Sequence, residues 1–466
     1  MNRYRTDTRP RLGLLAFLIG CACSLPAGAE TLDFAQCVRT ALQQNPDLMG
    51  SQQRVVQAQA GLRQAKGYGM PKLTASLNAM GTNDALNAFG IKLSQRGATF
   101  NDFGAGQFNP QNPNVLSIAP YALNNPGFVH NFDTRLQLDI PVYTGGMVSG
   151  GIRQAAAYIA AAQSGDRAAR QQVIFQVLQA YDGVHAARAY LDVARQAELA
   201  ARSELKMMES MEKSGTIIKS DLLLAQVRLQ DVQVDESQAE NAVAGALDQL
   251  RMLLGLAPDA PVDVAGPAEV RPMGEPLPEL RRLAMDNNPG IQALRHKVDA
   301  DTANVDVARA ANKPQLGFML RQDWNDAQLG FNANSYTIGG SLSWTAFDGG
   351  LTNGKIDQAQ ASRNETFARL QQAEAGIAVQ VADAQRKATE AEQRLTQREL
   401  AVTQMEEAVR LVNKRYANGV ATITEQLGTQ AQLDKARADV VSARYDLAIQ
   451  RARLKLATGQ LDPDTL

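Results

Sequence analysis

From Gly350 to Tyr416 the chain contains no proline, and Leu370, Ala373, Ile377, Val381, Ala384, Ala388, Ala391 and Leu395 recur at steps of three or four. Small and apolar residues at that spacing form a coiled-coil seam. An unbroken helix over this stretch reaches about 100 Å at 1.5 Å per residue. A fold built on such an element is elongated.

The same stretch occurs twice. An offset of 204 positions places Gly349 on Gly145, Gly350 on Gly146, Gly419 on Gly215, Glu425 on Asp221 and Gly459 on Gly255. Val173, Val177, Ala180, Val184, Ala187 and Leu191 continue the seam in the earlier copy. Nearer the start of each copy the offset is 243, pairing Asn45-Pro46 with Asn288-Pro289 and Met70-Pro71 with Lys313-Pro314. The chain is an internal duplication. The fall in offset from 243 to 204 locates an insertion of 39 residues between Pro71 and Gly145.

Composition narrows the classes further. Net charge is −1, which gives no reason to expect nucleic acid or an anionic surface as partner. Aromatic residues make up only 5% of the chain while Ala and Gln abound, as suits helices packed through small side chains. His130, His185 and His296 stand far apart without a cysteine or carboxylate at ligand spacing, so no metal site and no cofactor is expected.

Met1 to Ala29 reads as a signal peptide: Arg3, Arg5, Arg9 and Arg11, an apolar run from Leu12 to Leu25, then Ala27-Gly28-Ala29. The run is shorter than the roughly 20 residues of a spanning helix. Leu18-Ile19-Gly20-Cys21 leaves lipoprotein processing at Cys21 open as an alternative. After cleavage at Ala29 only Cys37 remains, which excludes an intramolecular disulfide.

The first repeat is expected over residues 30–257. It opens with a short helix from Thr31 to Gln44 and a second from about Asp47 to Lys66, separated by Asn45-Pro46. The period then changes from 3.6 to two. Leu73, Ala75, Leu77 and Ala79 alternate with Thr74, Ser76 and Asn78, and Leu136, Leu138, Ile140 and Val142 with Arg135, Gln137 and Asp139. Strands are expected at about 72–80 and 132–142 here, and at about 315–323 and 336–345 in the second repeat, residues 279–466. Each approaches the 9 to 11 residues that cross a membrane when tilted. A half-buried soluble sheet fits the same alternation; the signal peptide favours the membrane. Residues 81–130, rich in Asn, Gly and Pro, read as a long polar loop, against a short one near 325–335. Long loops on one side suit an outer-membrane barrel. A long helix then runs from Gly146 to a turn at about 213–220 and a returning helix follows; the second copy turns at about 416–424. Prolines 258, 261, 267, 272, 276 and 278 mark residues 258–278 as the link between repeats.

Four strands cannot close a barrel with an aqueous lumen, since about eight are needed merely to enclose side chains. An open edge in lipid would leave amides and carbonyls unpaired. The barrel is therefore shared among chains, and three chains would suffice. The reading is a mainly helical, internally duplicated channel-tunnel protomer, with four strands for a shared barrel and long periplasmic coiled-coil hairpins. A periplasmic coiled-coil scaffold is the alternative; it leaves the four alternating strands unexplained. An enzyme would need a nucleophile, base and orienting group that neither half supplies. Gly349-Gly350-Leu351-Thr352-Asn353-Gly354-Lys355 copies part of a phosphate-binding loop, but Ile356 stands where Ser or Thr would ligate magnesium.

Beyond this the residues carry a resemblance. Asn-Pro at 45/46 and 288/289, Pro-Val-Tyr-Thr-Gly-Gly at 141–146 and Trp-Thr-Ala-Phe-Asp-Gly-Gly at 344–350 match the outer membrane efflux protein (TolC) family. So do the turns Gly215-(five residues)-Asp221-Leu222 and Arg415-Tyr416-Ala417-Asn418-Gly419. The resemblance covers the chain after Ala29. It implies a homotrimer in outer-membrane lipid that serves as exit duct for efflux or type I secretion, meeting a periplasmic adaptor (membrane fusion) protein and an inner-membrane pump. It also implies a periplasmic gate: Asp221 and Tyr416 match a closing pair, and Glu425 an acidic ring position. Ala421 stands where a family member carries a gate arginine, and Gly428 where it carries a second acid. A helix-start carboxylate is an equal reading of Asp221 and Glu425. The adaptor is expected at the turns, around Gly215, Thr216, Ser220, Gly419, Val420 and Thr422. The sequence does not identify the cargo.

Overall fold

The computed structural model describes residues 30–463. The expected signal peptide, with Cys21, lies outside them. In chain order the elements are β1 (Glu30–Leu32), α1 (Phe34–Gln44), α2 (Pro46–Gly67), β2 (Lys72–Thr82), α3 (Ala85–Ser94), α4 (Tyr121–Asn124), β3 (Val129–Tyr143), α5 (Met147–Lys213) and α6 (Lys219–Leu254). Then follow β4 (Val262–Val264), α7 (Leu277–Asn287), α8 (Pro289–Ala310), β5 (Gln315–Asp326), β6 (Ala333–Ser343), α9 (Leu351–Ala417) and α10 (Ile423–Ala457). α5 and α9 are 67 residues each, about 100 Å at the helical rise. Among the described residues no helix is long and apolar enough to cross a membrane.

Both long helices start from a Gly-Gly pair with positive φ, Gly145 at 67° and Gly146 at 98°, Gly349 at 67° and Gly350 at 92°. Only glycine makes two successive left-handed steps without steric cost, so this pair turns strand into helix. The Asn-Pro pairs have an equally local reason. Asn45 Oδ1 accepts from the Asp47 amide at 2.9 Å and Asn288 Oδ1 from the Gly290 amide at 2.9 Å, with proline in the first helical turn. Each asparagine amide also donates to the end of the returning helix, Asn45 to the Leu253 carbonyl at 3.2 Å and Asn288 to the Ala457 carbonyl at 3.2 Å. One residue type thus caps a short helix and clamps it to a hairpin, twice.

The four strands form one antiparallel sheet in the order β2-β3-β5-β6. Its register aligns like with like. Leu73 pairs with Leu138, Leu138 with Leu320 and Leu320 with Ile338, giving an apolar face. On the other face Ser76 pairs with Arg135, Arg135 with Asp323 and Asp323 with Ser335. Asp323 receives Arg135 Nε at 2.6 Å and Arg321 Nε at 2.8 Å, and Arg135 also reaches Asp133 at 2.9 Å. One side suits lipid and the other water. β3 shifts register between Pro141 and Tyr143, where a proline without an amide is tolerated. β2 and β6 are free edges.

The main core lies midway along the helices. Cys37, Val38 and Ala41 of α1, Val177, Leu178 and Tyr181 of α5, and Leu250 and Leu254 of α6 pack with Val262, Val264 and Val270. Three findings differ from the sequence reading. Residues 30–32 are a strand rather than the start of a helix, because β1 pairs in parallel with β4. The segment between repeats is itself core: Tyr181 Oη donates to the Gly266 carbonyl at 2.8 Å, and the buried Asp182 accepts the Ala268 amide at 3.3 Å. Residues 81–130 also hold helices, α3 and α4, and three short 3-10 turns.

Gly459 (φ +74°) and Gly419 (φ +71°) share a left-handed backbone, but a Cβ on Gly459 would lie 2.6 Å from the Asn287 carbonyl while one on Gly419 meets open space. Gly459→Ala is expected to cost about 2 kcal/mol more than Gly419→Ala, read as a lower midpoint of thermal unfolding; equal midpoints would sink the clamp argument.

Candidate functional site

The two hairpin tips lie side by side. The first is turned by Ser214 and Gly215, where Gly215 has φ +71° and the Thr216 amide donates to the Met211 carbonyl at 2.8 Å. The second is turned by Asn418 and Gly419, with the Val420 amide on the Arg415 carbonyl at 2.9 Å. Thr422 caps α10 by accepting the Glu425 amide at 3.2 Å. Gly215, Thr216, Ser220, Gly419, Val420 and Thr422 are all exposed.

Between the tips is a small apolar contact. Met208, Ala225 and Ile423 are buried there, with Leu205, Ile217, Leu222, Tyr416 and Leu427 around them. The Tyr416 hydroxyl lies 3.7 Å from Met208 Sδ, and burial pushes the phenol's pKa up, with the Asp221 and Glu204 carboxylates adding to the shift. Asp221 sits half-buried in the first turn of α6. The fold therefore brings Tyr416 and Asp221 together, although among the described residues no hydrogen bond joins them.

Glu425 is placed differently. Its carboxylate takes Arg415 Nη1 at 2.6 Å across the turn between α9 and α10. The acidic position that the resemblance singled out is thus one half of an ion pair. Its partner stood in the quoted Arg415-Tyr416 motif, since residues equidistant from Val420 face each other once the hairpin closes.

A second polar contact ties the hairpins further along. Arg228 of α6 reaches Asp434 of α10 at 2.7 Å, and Gln430 supports Asp434 at 3.0 Å. Glu204 of α5 points into the same space: its Oε1 is buried and has no partner among the described residues. Burial raises its pKa, Arg228 pulls it down, and Asp434 raises it again. Arg437 reaches Gln196 at 3.4 Å beyond. Sequence reasoning missed Glu204, Arg228 and Asp434, because on long helices rich in both charges the residue that meets another hairpin depends on helix rotation. Among the described residues, no group of His, Cys, Asp and Glu is placed to hold a metal.

The family model "Outer membrane efflux protein" matches residues 37–256 and 280–460. The chain is 26% identical over 310 residues to the alkaline protease secretion protein AprF of Pseudomonas aeruginosa, covering 64% of this chain and 63% of AprF. It is 29% identical over 331 residues to CyaE of Bordetella pertussis, covering 70% of each. The solved structure of the outer membrane protein VceC of Vibrio cholerae superposes with a TM-score of 0.74 at 18% identity, over 91% of this chain and 96% of that one. Each repeat is matched separately, with the segment around β4 left between the two matches. The chain belongs to the outer membrane efflux protein family, the TolC-type channels that sit in the outer membrane and extend into the periplasm.

Proposed function

We propose that three copies of this chain form a channel-tunnel that serves as the exit duct of a tripartite efflux or type I secretion system, opened at its periplasmic tip. The observation that carries this reading is a broken symmetry. Of the two helices α2 and α8, α5 packs against both, α2 of its own repeat and α8 of the other, whereas among the described residues α9 packs against α8 and makes no comparable contact with α2. Gly145 abuts the Ala310 carbonyl of α8, while its counterpart Gly349 faces open space. The missing neighbour of α9 is an α2, and the missing neighbour of β6 is a β2. Both come from the next copy in a ring. With four strands per chain, two chains would enclose only side chains, and three leave a lumen.

The polar face, with Arg135, Arg321 and Asp323, lines that lumen, and the apolar face meets lipid. Nothing in the passage requires a covalent step, so the chain acts as a conduit without enzymatic activity. The exposed tip residues Gly215, Thr216, Ser220, Gly419, Val420 and Thr422 form the seat for a periplasmic adaptor, which couples the duct to an inner-membrane pump. Exposed Leu223, Leu224 and Val227 beside them offer apolar area to helices that dock there. AprF is named for protease secretion and TtgF for toluene efflux; this chain takes the same place in a machine of either kind.

At the gate, Tyr416 and Asp221 hold neighbouring hairpins together, and Arg415 tempers the three symmetry-related Glu425 carboxylates that face the axis. Purified trimers in a planar bilayer are expected to show small openings that grow severalfold in Asp221→Ala with Tyr416→Phe. Openings of parental size would keep the channel and reject this gate; no conductance from folded protein would reject the duct.

Acid should hold the tip shut through Glu204. In the closed tip burial keeps this carboxyl above its ordinary range, and parting hairpins let water return it there. Protonation therefore favours the closed state, in full below the ordinary carboxylate range, and the bias fades as pH rises through the raised value. Open probability is expected to climb with pH across that window and to lose the step in Glu204→Gln; a step that survives belongs to another group. For the adaptor, cysteines at Gly215 and Gly419 are expected to cross-link to the cognate protein, and failure at both turns would remove the docking surface.

A further inference from the structure

The long insertion after β2 has no counterpart in the second repeat, and its first helix does not stand away from the barrel. Gln95, at the end of α3, donates through Nε2 to the His130 carbonyl at 2.7 Å and to Asn131 Oδ1 at 3.0 Å. Asn131 in turn donates to Asn325 Oδ1 at 2.8 Å. The next residue, Arg96, crosses to the far edge of the sheet and donates to the Asn334 carbonyl at 2.7 Å. A single short segment is thereby fastened to β3, and through it to β5, and also to β6.

The face that it covers follows from strand parity. Asn131 shares its face with Asp133 and Arg135, and Ala333, opposite Asn325, belongs to the same row. Asn131 is 7% exposed and Ala333 4%, although both lie at the end of an open sheet. The covered face is therefore the polar one. Arg96 adds a sign of constraint: its φ of +57° is the only positive value at a non-glycine position among the described residues, and such a backbone persists where surrounding contacts hold it. The remainder of the insertion is folded back on α3. Phe103 packs edge-on against Phe89 at 5.2 Å, and Lys92 meets Asp102 at 2.6 Å.

We infer that the Ala85–Arg96 segment is a mouth strap, laid across the water-facing side of the barrel at its outer end, where one strap per chain narrows the exit and limits the size of what leaves. The inference rests on the channel reading, because only in a closed barrel is the polar face a lumen. It is independent of the tip gate. Its hydrogen bonds to the strands are few and at the rim, so the strap can lift without disturbing the apolar face in lipid.

The test places a reporter beneath the strap. Thr337 lies on the polar face opposite Arg321, and Thr337→Cys is a small change there. Cys37 is buried, with its thiol pushed up to about 12, and does not compete; the parent without Thr337→Cys measures labelling elsewhere. Intact cells are treated from outside with a small maleimide or with a polymer-linked one too large for diffusion pores. The expected result is fast labelling by the small reagent, slow labelling by the large one, and about tenfold faster labelling by the large one after Gln95→Ala with Arg96→Ala. Equal rates for both reagents before the strap is released would overturn the inference, and this comparison needs no strap variant to fold. A large-reagent rate that stays slow in released, heat-modifiable trimers would also overturn it. Absence of labelling by the small reagent together with absence of conductance would remove the channel reading itself, a result distinct from either failure of the strap.

Discussion

Backbone hydrogen bonding governs this protein. A strand at a sheet edge carries unpaired amides and carbonyls, which water satisfies and hydrocarbon does not. The sheet β2-β3-β5-β6 has an apolar face fit for lipid and two such edges. Neither edge carries the usual protections of soluble proteins. The edge strands are 11 residues each, long enough to extend the ladder. In the proposed ring β6 meets the β2 of another copy, and assembly then belongs to the fold itself.

Duplication supplies that partner at no extra cost in sequence. The β3-β5 pairing joins repeat to repeat within a chain, and the contact of α5 with α8 does the same among helices. The next copy has only to repeat these contacts at β6 and α9. The half-built site at Gly349, where nothing approaches, against the filled one at Gly145 shows the same surface once with and once without its neighbour. A heterologous contact of this kind closes into a ring or runs on as a filament. In the proposed channel, barrel curvature, set by strand tilt and stagger, selects the ring.

Much of this was legible in the sequence because periodicity reports which face of an element is covered. Ile377, Val381 and Ala384 turn inward on α9, and Leu138 and Leu320 meet across the sheet, as their spacing required. The mainly helical, duplicated channel-tunnel class followed from those patterns. Contacts that depend on folding back were less visible. β1 pairs with β4 across more than two hundred residues, and strands of three residues each, Glu-Thr-Leu and Val-Asp-Val, carry little signal of their own. Residues 81–130 read as polar loop because Asn and Gly dominate by count; the amphipathic turn around Ala88 and Ile91, both buried, was outweighed. At the tips Asp221 and Tyr416 were located by the resemblance to the efflux family, while Arg415 with Glu425 and Arg228 with Asp434 required three-dimensional registration.

The character of the tip contacts suits a reversible opening. Where hairpin meets hairpin there is one small apolar cluster around Met208, a weak hydroxyl-to-sulfur contact and one partly buried ion pair between Arg228 and Asp434. Partly buried pairs stabilise little overall, since desolvation offsets most of their Coulomb attraction. An extended leucine seam would close the tip far more tightly and would add about 25 cal/mol for each Å² of apolar area to be exposed on opening. The seam does exist higher up, at Val381 and Ala384 against Leu280 and Leu454, where nothing has to part. Strong apolar packing in the middle and weak polar contacts at the end divide one continuous pair of helices into a fixed shaft and a movable rim. Glu204, whose Oε1 is buried without a partner among the described residues, would shift the balance of the proposed opening further, because opening hydrates a carboxylate that closure desolvates.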